Sequence, residues 1–166
     1  ETLECWQIAL KSKNTPSVIA LSRQKVPYIN PDNSKKNKCE NGAYVVSITS
    51  HDSSVTLVAS GTEVELALKV QDKLKENNIH SKVVSMPCME LFDKQSEKYK
   101  EDLLDQDSLV VTLEAGSITS WQKYILNKGL NLGIDQFGES APYKEVYDHF
   151  DLTEDKITSF IQKKLR

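Results

Sequence analysis

Val55-Thr-Leu-Val-Ala-Ser-Gly-Thr-Glu-Val-Glu-Leu-Ala-Leu-Lys69 reads as a strand, a glycine turn and a helix. Val55 to Ala59 is an apolar, partly β-branched run, the pattern of a strand covered on both faces. Gly61 supplies the backbone freedom that a tight strand-to-helix turn requires. Thr62 and Glu65 have capping-box spacing: the threonine side chain can accept from the Glu65 amide, and the carboxylate can reach back to the Thr62 amide. Val64, Ala67, Leu68, Gln71 and Leu74 then trace one helical face, apolar but for Gln71. Asn77-Asn78 offers a stop, and Ser81-Lys-Val-Val-Ser-Met86 reads as a second strand. Val55 to Met86 is 32 residues, which suits one right-handed βαβ unit.

The bulk properties bound the function. A chain of 166 residues can bury one good core, or one domain with an appendage. A net charge of −3, with charges of both signs mixed, sets up no strong field toward nucleic acid or membrane. Only Arg23 and Arg166 among the 21 basic residues are arginines, too few for a phosphate-reading surface. Cys5, Cys39 and Cys88 are odd in number and widely spaced, which points to reduced cytosolic thiols. No apolar run approaches the 18 residues of a membrane span and no signal-peptide pattern is present, so a cytoplasmic location is expected. The chain begins at Glu1 inside a helical pattern, as expected of a piece of something longer.

Outward from the βαβ unit, Leu3, Trp6, Ile8, Ala9 and Leu10 form a short, broadly apolar helix pattern, and Ser17 to Leu21 reads as a buried strand. Arg23 follows where that strand would emerge; position alone leaves a ligand contact and a solvated loop residue both open. The polar, lysine- and asparagine-bearing run from Val26 to Gly42 marks a domain boundary. Ala43 to Ile48 is an expected edge strand, and the short return through His51 to Ser54 predicts an antiparallel pairing with the strand at Val55. Further along come a charged helix over 94–104, a buried strand Ser108–Leu113, a helix Thr119–Leu126 and a strand Leu130–Ile134. Pro142 suits the first position of a helix to Phe150, and Thr153 that of a capping residue before a last amphipathic helix.

Candidate chemistry is sparse. The Gly61 turn could hold an anion at a helix N-terminus, but Glu63 and Glu65 already complement the dipole and would repel phosphate. Glu114, Asp135 and Glu139 fall along the C-terminal rim of the expected sheet; they could do acid–base work there, though solvated caps are the commoner use of such positions. His51, His80 and His149 each stand apart, and His51-Asp52-Ser53 has the letters of a triad without its geometry. Cys88 has no neighbouring histidine or lysine in sequence to lower its pKa. Trp121 and Tyr124 share one helix face and read as core.

Longer motifs carry a resemblance. Glu1-Thr2 with Trp6 and Ala9-Leu10, then Leu21-Ser-Arg-Gln24, resemble the end of the pyrimidine-binding domain of transketolases. Ser60-Gly-Thr-Glu-Val-Glu-Leu-Ala-Leu68, Val83-Val-Ser-Met-Pro87 with Glu90-Leu-Phe-Asp93, Glu114-Ala-Gly-Ser117 and Phe137-Gly-Glu-Ser-Ala-Pro142 resemble the transketolase C-terminal domain. These motifs run in family order over essentially the whole chain; Ile118-Thr-Ser120 stands where the family often has a glycine before the tryptophan.

The resemblance implies an α/β protein, a three-layer α/β/α sandwich on a mostly parallel five-stranded sheet with one antiparallel edge strand. It implies residues 1–25 as a remnant helix and strand of the pyrimidine domain, 26–42 as linker and 43–166 as the C-terminal domain. The parent enzyme would transfer a two-carbon ketol unit between sugar phosphates, using thiamine diphosphate with Mg2+ or Ca2+, as a homodimer. The metal-binding Gly-Asp-Gly motif is not in this chain, so no catalytic, cofactor-binding or metal-binding residue is expected here. Arg23 maps onto the family arginine that binds the sugar-phosphate end. Remaining transketolase domains and a second subunit are the expected partners, with no nucleic acid and no membrane. The piece alone is expected to be inactive, its role dimer support or regulation; a stand-alone interaction or effector-binding module of the same fold is the alternative.

Overall fold

A computed structural model describes residues 1–29, 36–105, 107–125 and 129–166. Its centre is a five-stranded sheet in the order β1-β3-β2-β4-β5, with strands Tyr44–Ile48 (β1), Val55–Ala59 (β2), Ser81–Ser85 (β3), Leu109–Leu113 (β4) and Leu130–Leu132 (β5). β2 pairs in parallel with both β3 and β4, and β4 in parallel with β5. All five residues of each of β2, β3 and β4 are buried, as expected of parallel strands with helices on both faces.

Side-chain alternation divides the core in two. Leu57, Ala59, Val83, Val111 and Leu113 face α2 (Glu63–Glu76) and α6 (Glu154–Leu165), packing with Val64, Ala67, Val70, Leu74, Ile157 and Ile161. Val58, Val84 and Val110 face the other way, onto Phe92 of α3 (Met89–Asp93), Leu103 and Leu104 of α4 (Glu97–Leu104), and Trp121 and Tyr124 of a 3₁₀ turn, Ile118–Tyr124. Phe92 meets Tyr124 edge-on at 5.7 Å between ring centres, the arrangement aromatic quadrupoles favour. Trp121 and Tyr124 are core, as their shared face predicts. The buried Gln71 donates its amide to the Ser81 carbonyl at 2.9 Å, which makes its place on an apolar helix face tolerable.

Several local expectations are corrected. Ser17–Leu21 is not a strand: it has no pairing partner among the described residues, and Val18 and Leu21 are largely exposed, because a strand needs neighbours to satisfy its backbone. β1 is an antiparallel edge strand, but it pairs with β3 instead of β2. The 51–54 return carries the chain to β2 one strand further in, with β3 lying between. The helix expected over 94–104 begins only at Glu97, where Ser96 Oγ accepts from the Tyr99 amide at 3.3 Å. The expected helix from Thr119 is the 3₁₀ turn beginning at Ile118, and its expected end at Leu126 lies outside the described residues. Residues 30–35 of the connector lie outside them too.

The capping box at Thr62 does not form. Thr62 has helical angles, φ −65° and ψ −28°, so its hydroxyl is turned away from the Glu65 amide. The first-turn amides of Glu63, Val64 and Glu65 donate instead to the carbonyls of Ser60, Gly61 and Thr62, at 3.2, 3.4 and 3.2 Å. The Glu65 carboxylate pairs with Lys69 at 2.8 Å. Gly61 does hold the left-handed turn, with φ +54°. Pro142 is the residue before α5 (Tyr143–His149), and Thr153 stands before α6 without a side-chain cap.

At the N-terminus, α1 (Thr2–Lys11) lies against a 3₁₀ turn, Lys38–Asn41. The Glu1 carboxylate accepts from the Tyr44 hydroxyl at 2.9 Å and from Ser85 Oγ, which ties the helix to β1 and β3. Leu3, Trp6 and Leu10 on the same helix remain exposed.

Candidate functional site

The C-terminal ends of parallel strands are where open α/β sheets leave a crevice, because the chain departs from them toward helices on opposite faces. Here the turn after β2 brings Thr62 and Glu63 to that edge, and β4 ends directly at Glu114. Together with Ala115, Ile134, Ala141, Tyr143, Val146 and Tyr147 they line an open cleft of about 400 Å³. Ser22 and Gln24 complete its wall, so the connector that follows α1 folds back over this edge of the sheet.

Two carboxylates dominate the cleft. Glu63 is only 5% exposed, and its Oε1 accepts from Thr62 Oγ1 at 2.7 Å and from the Tyr147 hydroxyl on α5. Glu114 Oε2 accepts from Trp121 Nε1 at 3.1 Å and from Ser60 Oγ at 3.4 Å. Burial, reinforced by the negative charge of Glu63, pushes the Glu114 carboxyl above the usual glutamate range. Burial and the bond to Glu63 likewise push the Tyr147 phenol up, so it acts as a donor throughout the physiological range. The arrangement offers hydrogen-bond acceptors and negative charge, and it is unsuited to an anion.

Of the rim acids expected from sequence, Glu114 alone reaches this cleft. Asp135 accepts from Ser117 Oγ at 3.2 Å and does not line the cleft, and Glu139 is exposed. The carboxylate that does join Glu114 is Glu63. Its spacing with Ala67, Gln71 and Leu74 puts it on the inner face of α2, a signal that its place in the first turn obscured. His51, His80 and His149 are all exposed, and Ser53 Oγ donates to the Ser50 carbonyl at 2.5 Å instead of to His51. The Cys88 thiol, pushed up by burial, donates to Glu90 at 3.5 Å. A second hollow of about 490 Å³ lies between α3 and the 3₁₀ turn at Ile118, beside the ion pair of Lys123 and Asp93.

The sequence pattern of the transketolase-like TK C-terminal domain matches residues 42–153. The chain belongs to the transketolase family. It is 38% identical over 171 residues to the transketolase of Rhodobacter capsulatus, covering 99% of this chain and 25% of that protein. A crystal structure of transketolase from Campylobacter jejuni superposes with a TM-score of 0.86 at 36% identity, over 98% of this chain and 24% of that one. A Pichia stipitis transketolase in complex with sedoheptulose-7-phosphate superposes with a TM-score of 0.88 at 30% identity, over 98% and 23% respectively. This chain therefore spans about a quarter of the length of its transketolase relatives.

Thiamine diphosphate and its divalent metal do not fit the residues present. The described residues hold no group of three or more His, Cys, Asp or Glu side chains able to bind a metal ion. The cleft described at the strand ends presents Glu63 and Glu114, which would repel a diphosphate. Arg23 is exposed in a segment without regular structure, flanked by the two cleft-lining residues Ser22 and Gln24. Among the described residues it makes no hydrogen bond or ion pair.

Proposed function

We propose that this chain is the C-terminal part of a transketolase, an enzyme that moves a two-carbon ketol unit between sugar phosphates on thiamine diphosphate. One observation carries the reading: similarity to whole transketolases is collinear over 99% of the chain, from α1 through α6. The bound sedoheptulose-7-phosphate of the Pichia stipitis relative supports sugar phosphates as substrates. Residues 1–25 are the end of the pyrimidine-binding domain, 26–42 the linker and 43–166 the C-terminal domain. Arg23 receives the substrate phosphate, for which its exposure and lack of a protein partner support it.

The cofactor and its Mg2+ or Ca2+ are held by segments outside this chain, which itself supports a dimer or regulates and is inactive alone. Leu3, Trp6 and Leu10 on α1, with Val18 and Leu21 beyond it, are half or more exposed in this chain. Apolar surface of that extent is normally covered by another body, and the preceding domains and a second subunit are its partners. No helix among the described residues is long and apolar enough to cross a membrane, and the cytoplasm is the proposed location.

The test compares the full-length protein with this chain alone. With thiamine diphosphate, Mg2+, sedoheptulose 7-phosphate and an aldose phosphate acceptor, the full-length protein should transfer the ketol unit. The isolated chain should show no transfer and no calorimetric binding of the cofactor. Absence of transfer by the full-length protein overturns the assignment; cofactor binding by the isolated chain overturns the fragment reading.

A further inference from the structure

The stretch of chain carrying Arg23 leaves from α1 and returns at the 3₁₀ turn at Lys38, and those two elements are bonded to each other. Asn37 Nδ2 donates to the Glu4 carbonyl at 2.9 Å and to Gln7 Oε1 at 2.8 Å. The Lys38 amide donates to Glu4 Oε1 at 3.1 Å, and Lys11 pairs with Glu40 at 3.3 Å. Glu1, at the start of the same helix, accepts from Tyr44 of β1 and Ser85 of β3, so this junction is seated on the sheet. Further along, Ser22 and Gln24 line the cleft with Glu63 and Glu114, and Arg23 between them is exposed.

We propose that Asn37, with Glu4 and Gln7 as its acceptors, is a positioning residue for Arg23: it fixes the base of the stretch that presents the guanidinium to a substrate phosphate. The proposal rests on the reading of Arg23 as the phosphate-binding residue. A guanidinium takes a phosphate through two parallel N–H···O bonds, a geometry that tolerates little displacement. Apparent affinity falls with the fraction of molecules that hold such a group in the competent place. Arg23 has no hydrogen bond or ion pair of its own among the described residues, so its place is set by the backbone on either side. On one side that backbone is α1, on the other the turn at Lys38, and the Asn37 side chain spans the two. Asn37 Oδ1 accepts from the Cys39 amide at 3.0 Å, which orients the amide group and aims both donors at α1.

The ordinary reading is that these bonds only dock α1 on the sheet domain. Docking alone is served by non-directional apolar burial, and α1 has the side chains for it in Leu3, Trp6 and Leu10, which are instead exposed. Glu4, Gln7 and Lys11 meet residues 37–40 in their place, through bonds with a direction. Hydrogen bonds weaken steeply away from linear geometry, so they fix the register of the two segments where apolar contacts would let them slide.

The test measures the kinetics of the full-length protein with a sugar-phosphate donor and with hydroxypyruvate, both with glycolaldehyde as acceptor. Asn37→Asp keeps the oxygen that accepts from the Cys39 amide and removes both donors to α1. It should raise KM for the sugar phosphate about twofold to tenfold, the shift that one neutral hydrogen bond carries. Its kcat and its reaction with hydroxypyruvate should change little. In an Arg23→Ala background Asn37→Asp should add nothing, because Asn37 acts through Arg23. Gln7→Ala, at an exposed helix position, removes one of the two acceptors and should act in the same direction more weakly. It decides the matter if Asn37→Asp fails to fold. An unchanged KM ratio between the two donors overturns the proposal, as does an Asn37→Asp effect that multiplies with that of Arg23→Ala. If Arg23→Ala itself fails to separate the two donors, the reading of Arg23 falls, and the proposal with it.

Discussion

The Tyr147 hydroxyl on α5 donates to the carboxylate of Glu63 in the first turn of α2, a side chain only 5% exposed. This bond joins two helices 84 positions apart in sequence and supplies one of two hydroxyl donors to a buried charge. Tyr147→Phe removes the donor and keeps the ring. A hydrogen bond to a charged group contributes about 1.5–3 kcal/mol, and a loss of that size is expected in urea unfolding at pH 7. An unchanged midpoint would show that water replaces the hydroxyl without cost.

Thr62 acts through Glu63 and not through a helix cap, since its Oγ1 donates to Glu63 Oε1 at 2.7 Å. A double-mutant cycle separates the two roles. Thr62→Ala should couple with Glu63→Gln by about 0.5–3 kcal/mol, the range for residues sharing a hydrogen bond. With Glu65→Gln it should be additive within about 0.5 kcal/mol. Strong coupling to Glu65 would restore the capping box.

Glu114 sets a pH dependence. Its folded pKa is raised by burial and by Glu63, so its contribution to stability is fully present below the ordinary glutamate pKa and is lost as pH rises through the folded value. Ionising this carboxylate in the folded protein is a net destabilising step. Glu114→Gln keeps an oxygen for Trp121 and Ser60 and should raise Tm at pH 7, each kcal/mol being worth about 2–4 °C in a chain of this size. The advantage should shrink on acidification and vanish below about pH 4.3, where the native glutamate is neutral as well. A gain independent of pH would mean the effect is not electrostatic.

Two glycines are irreplaceable for different reasons, and alanine scanning should tell them apart. Gly61 has φ +54° and open space where a Cβ would stand, so Gly61→Ala meets backbone strain alone, about 1–2 kcal/mol. Gly42 has φ +79°, and a Cβ there would stand 2.2 Å from the Phe92 amide nitrogen and 2.4 Å from the Cys88 carbonyl oxygen. Neither backbone atom can yield without undocking α3, so Gly42→Ala should prevent folding or lower Tm far more than Gly61→Ala. Equal effects would contradict the close approach.

Arg23→Ala in the full-length enzyme should raise KM for sugar phosphates about tenfold to a hundredfold, from loss of a charge-assisted hydrogen bond of about 1.5–3 kcal/mol. The phosphate lies remote from the bond being broken, so the interaction is nearly uniform between ground and transition states and kcat should change little. A non-phosphorylated donor such as hydroxypyruvate should be processed almost as before. Equal loss for both substrate classes would assign Arg23 a structural role.

What the sequence alone determined is the local alternation of elements around β2, α2 and β3. The continuous apolar run Val55–Ala59, the helical face from Val64 to Leu74 and the left-handed Gly61 turn are properties of neighbouring residues, and neighbours suffice to read them. Motifs such as Ser60 to Leu68 and Phe137 to Pro142 likewise carried the family resemblance without any contact being known. Tertiary structure decided the rest. Ser17–Leu21 has a strand's composition, but pairing requires partners, and none lies beside it among the described residues. β1 passes over β2 to pair with β3 because sheet order is settled by which strand edge is free, which the length of the 51–54 return does not state. Glu63 gained the Tyr147 hydroxyl as a donor only when α5 packed beside it, and Glu114 acquired its raised pKa only from its own burial and the nearby charge of Glu63. Asn37 and Glu4 look unrelated along the chain. Their hydrogen bond and that of the Lys38 amide to Glu4 hold the 3₁₀ turn against α1, and hydrogen bonds of that range leave no periodicity for a sequence to show.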